Sequence, residues 1–167
     1  HLGNDPTTQG IDINVAGNHR GSPPSYFSPY KNPNLSDGPK GEYLTDRLTS
    51  EAIKILKKFK QDPFFMYFPF YSIHTPLQGR KDLKKKYANN KKVHPDYAAM
   101  VECLDENVGR LMAALDELGL TDNTLVLFSS DNGGIRKLSK QDPWRAGKGS
   151  YFEGGIRVPL TVRWPGV

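Results

Sequence analysis

The sequence predicts an α/β fold with a mainly parallel sheet sandwiched by helices. Three observations predict it. Segments 44–60 and 95–118 repeat apolar residues at spacings of three and four, the period of an amphipathic helix. Runs 64–70 and 124–130 are nearly continuous in apolar residues, as strands buried on both faces are. These helical and strand-like segments alternate along the chain.

Residues 1–42 are rich in Gly, Pro, Asn and Ser. Only Ile11 to Val15 alternates like a strand. Residues 18–42 read as a long loop on the substrate side, since long loops in compact domains are usually functional. The helix over 44–60 buries Leu48, Ala52, Ile55, Leu56 and Phe59, starts at Thr45 as N-cap and stops at Asp62-Pro63. Phe64 to Phe70 is the first buried strand and ends at the turn Tyr71-Ser72-Ile73-His74-Thr75-Pro76. The helix over 95–118 carries the stripe Val101, Leu104, Val108, Leu111, Met112, Leu115 and Leu118, and Gly119 stops it. Thr124 to Ser130 is the second strand, and Leu160 to Trp164 is a last short one.

Composition narrows the function classes. The 167 residues are 37% hydrophobic and 25% charged, which suits a folded domain with many loops. No apolar run is long enough for a membrane span. The chain opens on His1 without a signal peptide, so upstream residues are expected. The net charge of +5 is concentrated in residues 80–92; without that run, 16 basic and 17 acidic residues leave −1. Such a run is either a solvated face or a landing surface for an anionic polymer. No nucleic-acid module accompanies it. The single cysteine, Cys103, lies on a helical face and reads as a core thiol.

Ligands in parallel sheets gather at the carboxyl ends of strands. His74 and Asp131 both lie just past predicted strand ends. Asp131-Asn132 offers adjacent carboxylate and amide oxygens, hard ligands that suit Ca²⁺ or Mg²⁺. An ordinary Asp-Asn-Gly-Gly turn would use the same residues. Lys148, between Gly147 and Gly149, is placed to meet a phosphate or sulfate, or is a surface lysine. It belongs to no nucleotide P-loop. His74 is either a general acid and anion ligand or the cap of a turn.

Taken in order, these segments resemble the sulfatase family of the alkaline-phosphatase-like superfamily. His1-Leu2-Gly3 is similar to the end of that family's Gly-Lys-Trp-His-Leu-Gly motif. Gln9-Gly10-Ile11-Asp12 resembles its Gln-Gly-Phe-Asp segment, and Tyr26-Phe27-Ser28-Pro29-Tyr30 is similar to a stretch in arylsulfatase-like members. Phe68 to Pro76, Tyr97 to Gly133 and Gly147 to Pro159 resemble the histidine loop, the helix with its metal strand, and the lysine loop.

The resemblance implies roles by position. Asp131 and Asn132 would ligate a divalent cation, calcium before magnesium. His74 and Lys148 would bind the sulfate group, with His74 protonating the leaving oxygen. His1 would contact a formylglycine nucleophile. Apart from the resemblance, His19 and Arg20 of the 18–42 loop would face the substrate. The family's Cys/Ser-x-Pro-x-Arg nucleophile motif does not occur in the chain. The expectation is therefore one partial catalytic domain over 1–167, lacking the N-terminal part with the nucleophile and the C-terminal region, and inactive alone. The parent would be a sulfuric ester hydrolase acting on a sulfated small molecule or glycan, periplasmic or secreted. Phosphodiester or phosphonate hydrolysis, or anion binding without catalysis, are the alternatives.

Overall fold

The structure is a computed structural model that describes residues 5–166. The chain forms two compact units that divide after Leu118.

The first unit is helical. Helix α1 (Leu44–Lys58) buries Leu44, Leu48, Ala52 and Leu56. Its N-cap is Tyr43, not Thr45. Thr45 lies inside the first turn, buried, with its hydroxyl 2.9 Å from that of Ser72. Helix α2 (Lys81–Tyr87) buries only Leu83. Helix α3 (Pro95–Glu117) begins at Pro95, a residue pre-set for the first helical turn. Gly119 follows with φ of 68°, a conformation that favours glycine, and ends the helix as expected.

The buried face of α3 is not the expected apolar stripe. Ala99, Met100, Cys103, Asn107, Ala114 and Leu115 are buried, whereas Val101 is exposed and Leu104, Val108, Leu111 and Met112 are half-buried. The polar member of that face explains the offset. Asn107 donates to Asp46 Oδ1 of α1 at 2.7 Å and accepts from Arg110 at 2.8 Å, so its burial leaves no orphaned amide. Arg80, at the start of α2, joins the same network through Asp46, Asp82 and Glu106. Cys103 is a core thiol as expected; burial, reinforced by Asp46, pushes it up to about 12.

Residues 18–42 form no helix or strand but are well packed. Tyr26, Tyr30 and Leu35 enter the core with Tyr43 and Leu44. An isolated bridge pairs Phe27 with Tyr43. Ile11 to Val15 is not a strand. Phe64 to Phe70 is likewise outside any strand, and Phe65 and Tyr67 are 81% and 77% exposed.

The second unit holds the sheet. Strand β1 (Val126–Ser129) pairs antiparallel with β2 (Leu160–Arg163), Val126 opposite Arg163 and Ser129 opposite Leu160. Helix α4 (Glu153–Ile156) is a single turn between them. The α/β class stands, but the pairing among described residues is antiparallel. The expected parallel partner, Phe64 to Phe70, enters no ladder. Both strands are also largely exposed, not buried on both faces.

Candidate active site

In the first unit the site residue is His74. Its backbone N–H donates to the Tyr71 carbonyl at 2.8 Å and closes the turn. Tyr26, fully buried, sets that turn from below. Its hydroxyl lies 2.7 Å from the Tyr71 carbonyl and 2.9 Å from that of His74. Burial pushes the Tyr26 phenol far up, so it serves as a fixed donor. Nothing in the sequence assigned Tyr26 this role, since its aromatic neighbours carry no signal that would separate it from core.

The half-buried His74 ring turns Nδ1 toward Thr75. It lies 3.1 Å from the Thr75 carbonyl and 3.3 Å from its hydroxyl. Nε2 has no partner among the described residues. One nitrogen is therefore oriented and the other is available to a ligand, the arrangement a general acid needs. His19 is exposed. Its neighbours reach the histidine turn: Asn18 Nδ2 lies 3.4 Å from the Tyr71 hydroxyl, which lies 3.5 Å from the Arg20 carbonyl. His1 lies outside the described residues.

In the second unit the site is a set of backbones stitched together at glycines. β1 delivers Asp131 and Asn132 at its carboxyl end. Gly133 N–H then donates to the Gly155 carbonyl at 2.8 Å, and Lys148 N–H donates to the Gly134 carbonyl at 3.0 Å. The loop after β1 and the loop that carries Lys148 are thus joined through their backbones. Side chains would not fit at the stitches. A Cβ on Gly133 would fall 1.9 Å from the Gly154 carbonyl oxygen, and one on Gly147 would fall 2.7 Å from that of Gly134. Gln141 props the turn, its Oε1 accepting from Gly134 N–H at 3.3 Å while its Nε2 donates to the Ser139 hydroxyl at 2.8 Å. No pattern in the sequence marked Gln141.

The functional side chains of this piece are uncommitted. The Asp131 carboxylate, the Asn132 side-chain amide and the Lys148 ammonium make no hydrogen bond or ion pair to the described residues. Asp131 and Lys148 are exposed and Asn132 is half-buried, so all three are open to a ligand. Of the three, Lys148 lines a cleft of about 300 Å³ with Ile135, Arg136, Lys137, Ala146 and Gly147. The residues fit a hard cation in part. Two oxygen donors are present where calcium takes about six to eight. No group of three or more His, Cys, Asp or Glu is assembled among the described residues.

A sulfatase family model matches residues 4–167. The chain belongs to the sulfatase family. It is 43% identical over 152 residues to a sulfatase of Formosa agariphila, covering 81% of this chain and 27% of that protein. It is 38% identical to the steryl-sulfatase of Rattus norvegicus, over 74% of this chain and 22% of the relative. It is 31% identical to an N-acetylgalactosamine-6-O-sulfatase of Bacteroides thetaiotaomicron, over 75% of this chain and 26% of the relative. The sulfatase chain thus spans about a quarter of the length of these relatives. Among solved structures, Ps i-CgsB in complex with k-i-k-neocarrahexaose superposes with a TM-score of 0.71 at 40% identity, covering 78% of this chain and 30% of that one. The α/β expectation and the sulfatase resemblance both hold.

Proposed function

We propose that this chain is the histidine-, cation- and lysine-bearing part of a single larger catalytic domain that hydrolyses sulfate esters. One observation carries the proposal: Lys148 and Asp131-Asn132 are locked side by side through the 3.0 Å bond from Lys148 N–H to the Gly134 carbonyl, with all three side chains unengaged. Family membership gives that arrangement its chemistry.

A sulfate ester carries negative charge on its free oxygens, and more develops on the bridging oxygen as the S–O bond breaks. Lys148 meets the first charge with a fixed ammonium. His74, oriented through Nδ1, presents Nε2 to the bridging oxygen and gives it a proton as the alcohol leaves. Asp131 and Asn132 would hold a calcium ion, which would offset charge on the sulfate oxygens, while a formylglycine outside these residues would supply the attacking oxygen. His1, at the chain's start, is assigned by resemblance to that nucleophile's hydroxyl. His19 joins the substrate side of the histidine turn.

The substrate class we favour is a carbohydrate sulfate. Relatives named for N-acetylgalactosamine-6-O-sulfate and a neighbour bound to a neocarrahexaose support it. A periplasmic or secreted setting goes with that class. The test compares aryl sulfate, carbohydrate sulfate and aryl phosphate as substrates of the whole protein. Sulfate hydrolysis should dominate, and Lys148→Ala should lower kcat/KM for sulfate by about 100- to 1,000-fold. Preferential turnover of the phosphate ester, or none of either, would replace the proposal with phosphoryl transfer or anion binding.

A further inference from the structure

The basic run is divided by the structure into two populations. Arg80, Lys84 and Lys86 are spent on ion pairs: Arg80 with Asp82, Asp46 and Glu106, Lys84 with Asp96 at 2.7 Å, and Lys86 with Glu102. These pairs fasten α2 to α1 and α3. Lys81, Lys85, Lys91 and Lys92 are exposed, and none makes a side-chain hydrogen bond or ion pair with the described residues. Lys81 and Lys85 stand one turn apart on α2, opposite Leu83, which is 2% exposed. Like charges at that spacing weaken a helix slightly. Lys91 and Lys92 follow in the turn after α2.

We infer that Lys81, Lys85, Lys91 and Lys92 form a capture surface for a sulfated polysaccharide. Three observations carry this. The four lysines carry +4 of the chain's net charge of +5. It is built from lysines, point charges that suit scattered sulfates, and free of the unpaired arginines and stacking aromatics that nucleic acids favour. It is also tied rigidly to the histidine turn. Between His74 and α2, the Gln78 side chain accepts from Tyr26 N–H at 2.8 Å, the Gln78 carbonyl accepts from the Tyr43 hydroxyl at 2.8 Å, and Gly79 N–H donates to Asp96 at 3.1 Å. A polymer held on the patch is held by the same frame that positions His74. The inference rests on the carbohydrate-sulfate proposal for its choice of polymer.

The test measures binding, not turnover, so it stands or falls apart from the catalytic proposal. Labelled dextran sulfate is titrated with the whole protein at several salt concentrations, with neutral dextran and single-stranded DNA as comparison polymers. Each phosphate or sulfate contact contributes about −0.7 to the slope of log K against log salt, so four lysines give about −3. Lys81→Gln/Lys85→Gln/Lys91→Gln/Lys92→Gln should abolish most of that slope. Lys91→Gln/Lys92→Gln, outside the helix, should remove about half, so the result does not hinge on α2. Lys57→Gln/Lys58→Gln should leave it unchanged. In the whole protein, the quadruple variant should raise KM for the polymer and leave kcat/KM for a small aryl sulfate intact. An unchanged slope in the quadruple variant, an equal loss in the Lys57/Lys58 variant, or DNA binding as tight as dextran sulfate would overturn the inference.

Discussion

At the scale of single residues, the site separates positions that hold the scaffold from positions that face a ligand. Gly133 belongs to the first kind. Its Cβ would strike the Gly154 carbonyl at 1.9 Å, and backbone cannot swing aside as a side chain can. Gly133→Ala should therefore lose about 1–3 kcal/mol of stability, read from the midpoint of chemical denaturation. Asp131 belongs to the second kind. With no partner to lose, Asp131→Ala should shift that midpoint by less than about 0.5 kcal/mol. The sequence showed both residues in one Asp-Asn-Gly-Gly string. It could not show which carbonyl each glycine meets, because Gly154 and Gly155 approach from some twenty residues away. The same limit hid Tyr26, whose role is made by the distant carbonyls of Tyr71 and His74.

At the scale of elements, helices were legible and strands less so. A 3.6-residue period survives in the sequence because each helix makes its own hydrogen bonds. Even so, the buried face of α3 follows Asn107 and Cys103, not its greasiest stripe, because Asp46 and Arg110 satisfy the Asn107 amide. A strand needs a partner that the run itself does not name. Phe64 to Phe70 is as apolar as any buried strand, yet no described residue pairs with it. Helix α2 makes the opposite case, since ion pairs hold most of it in place. Arg80 draws the Asp82 carboxyl down to about 2. Burial pushes the Asp96 carboxyl up, but hydrogen bonds from Lys84 and Gly79 win and hold it below its ordinary range. Lys86 and Tyr87 lower Glu102 in the same direction. Carboxylates depressed in the fold contribute stability that is present above the ordinary value near 4 and lost as pH falls toward 2. Helical content followed by circular dichroism should decline across that window. Arg80→Ala should flatten the decline, Asp96 keeping its share.

At the scale of the whole molecule, the exposed strands and the absent nucleophile motif accompany a chain that spans about a quarter of its relatives' length. Leu127, Leu160 and Val162 are 62%, 67% and 56% exposed on β1 and β2, the faces a family sheet would bury. No Cys/Ser-x-Pro-x-Arg motif occurs among the 167 residues. These 167 residues alone should therefore hydrolyse no aryl sulfate, and a sensitive fluorogenic assay showing robust turnover would refute the placement of the nucleophile elsewhere. The family was legible in the order of short motifs, each weak by itself. Its substrate was not, because specificity usually lies in loops, and the shape of a loop such as 18–42 follows from packing, not from a motif. The central claim is that Asp131 and Asn132 form one side of a calcium site beside the sulfate-binding Lys148. Calorimetric titration of calcium into the whole protein tests it most directly. Asp131→Ala should weaken binding by at least about 100-fold while the fold is retained; an unchanged affinity would contradict the assignment.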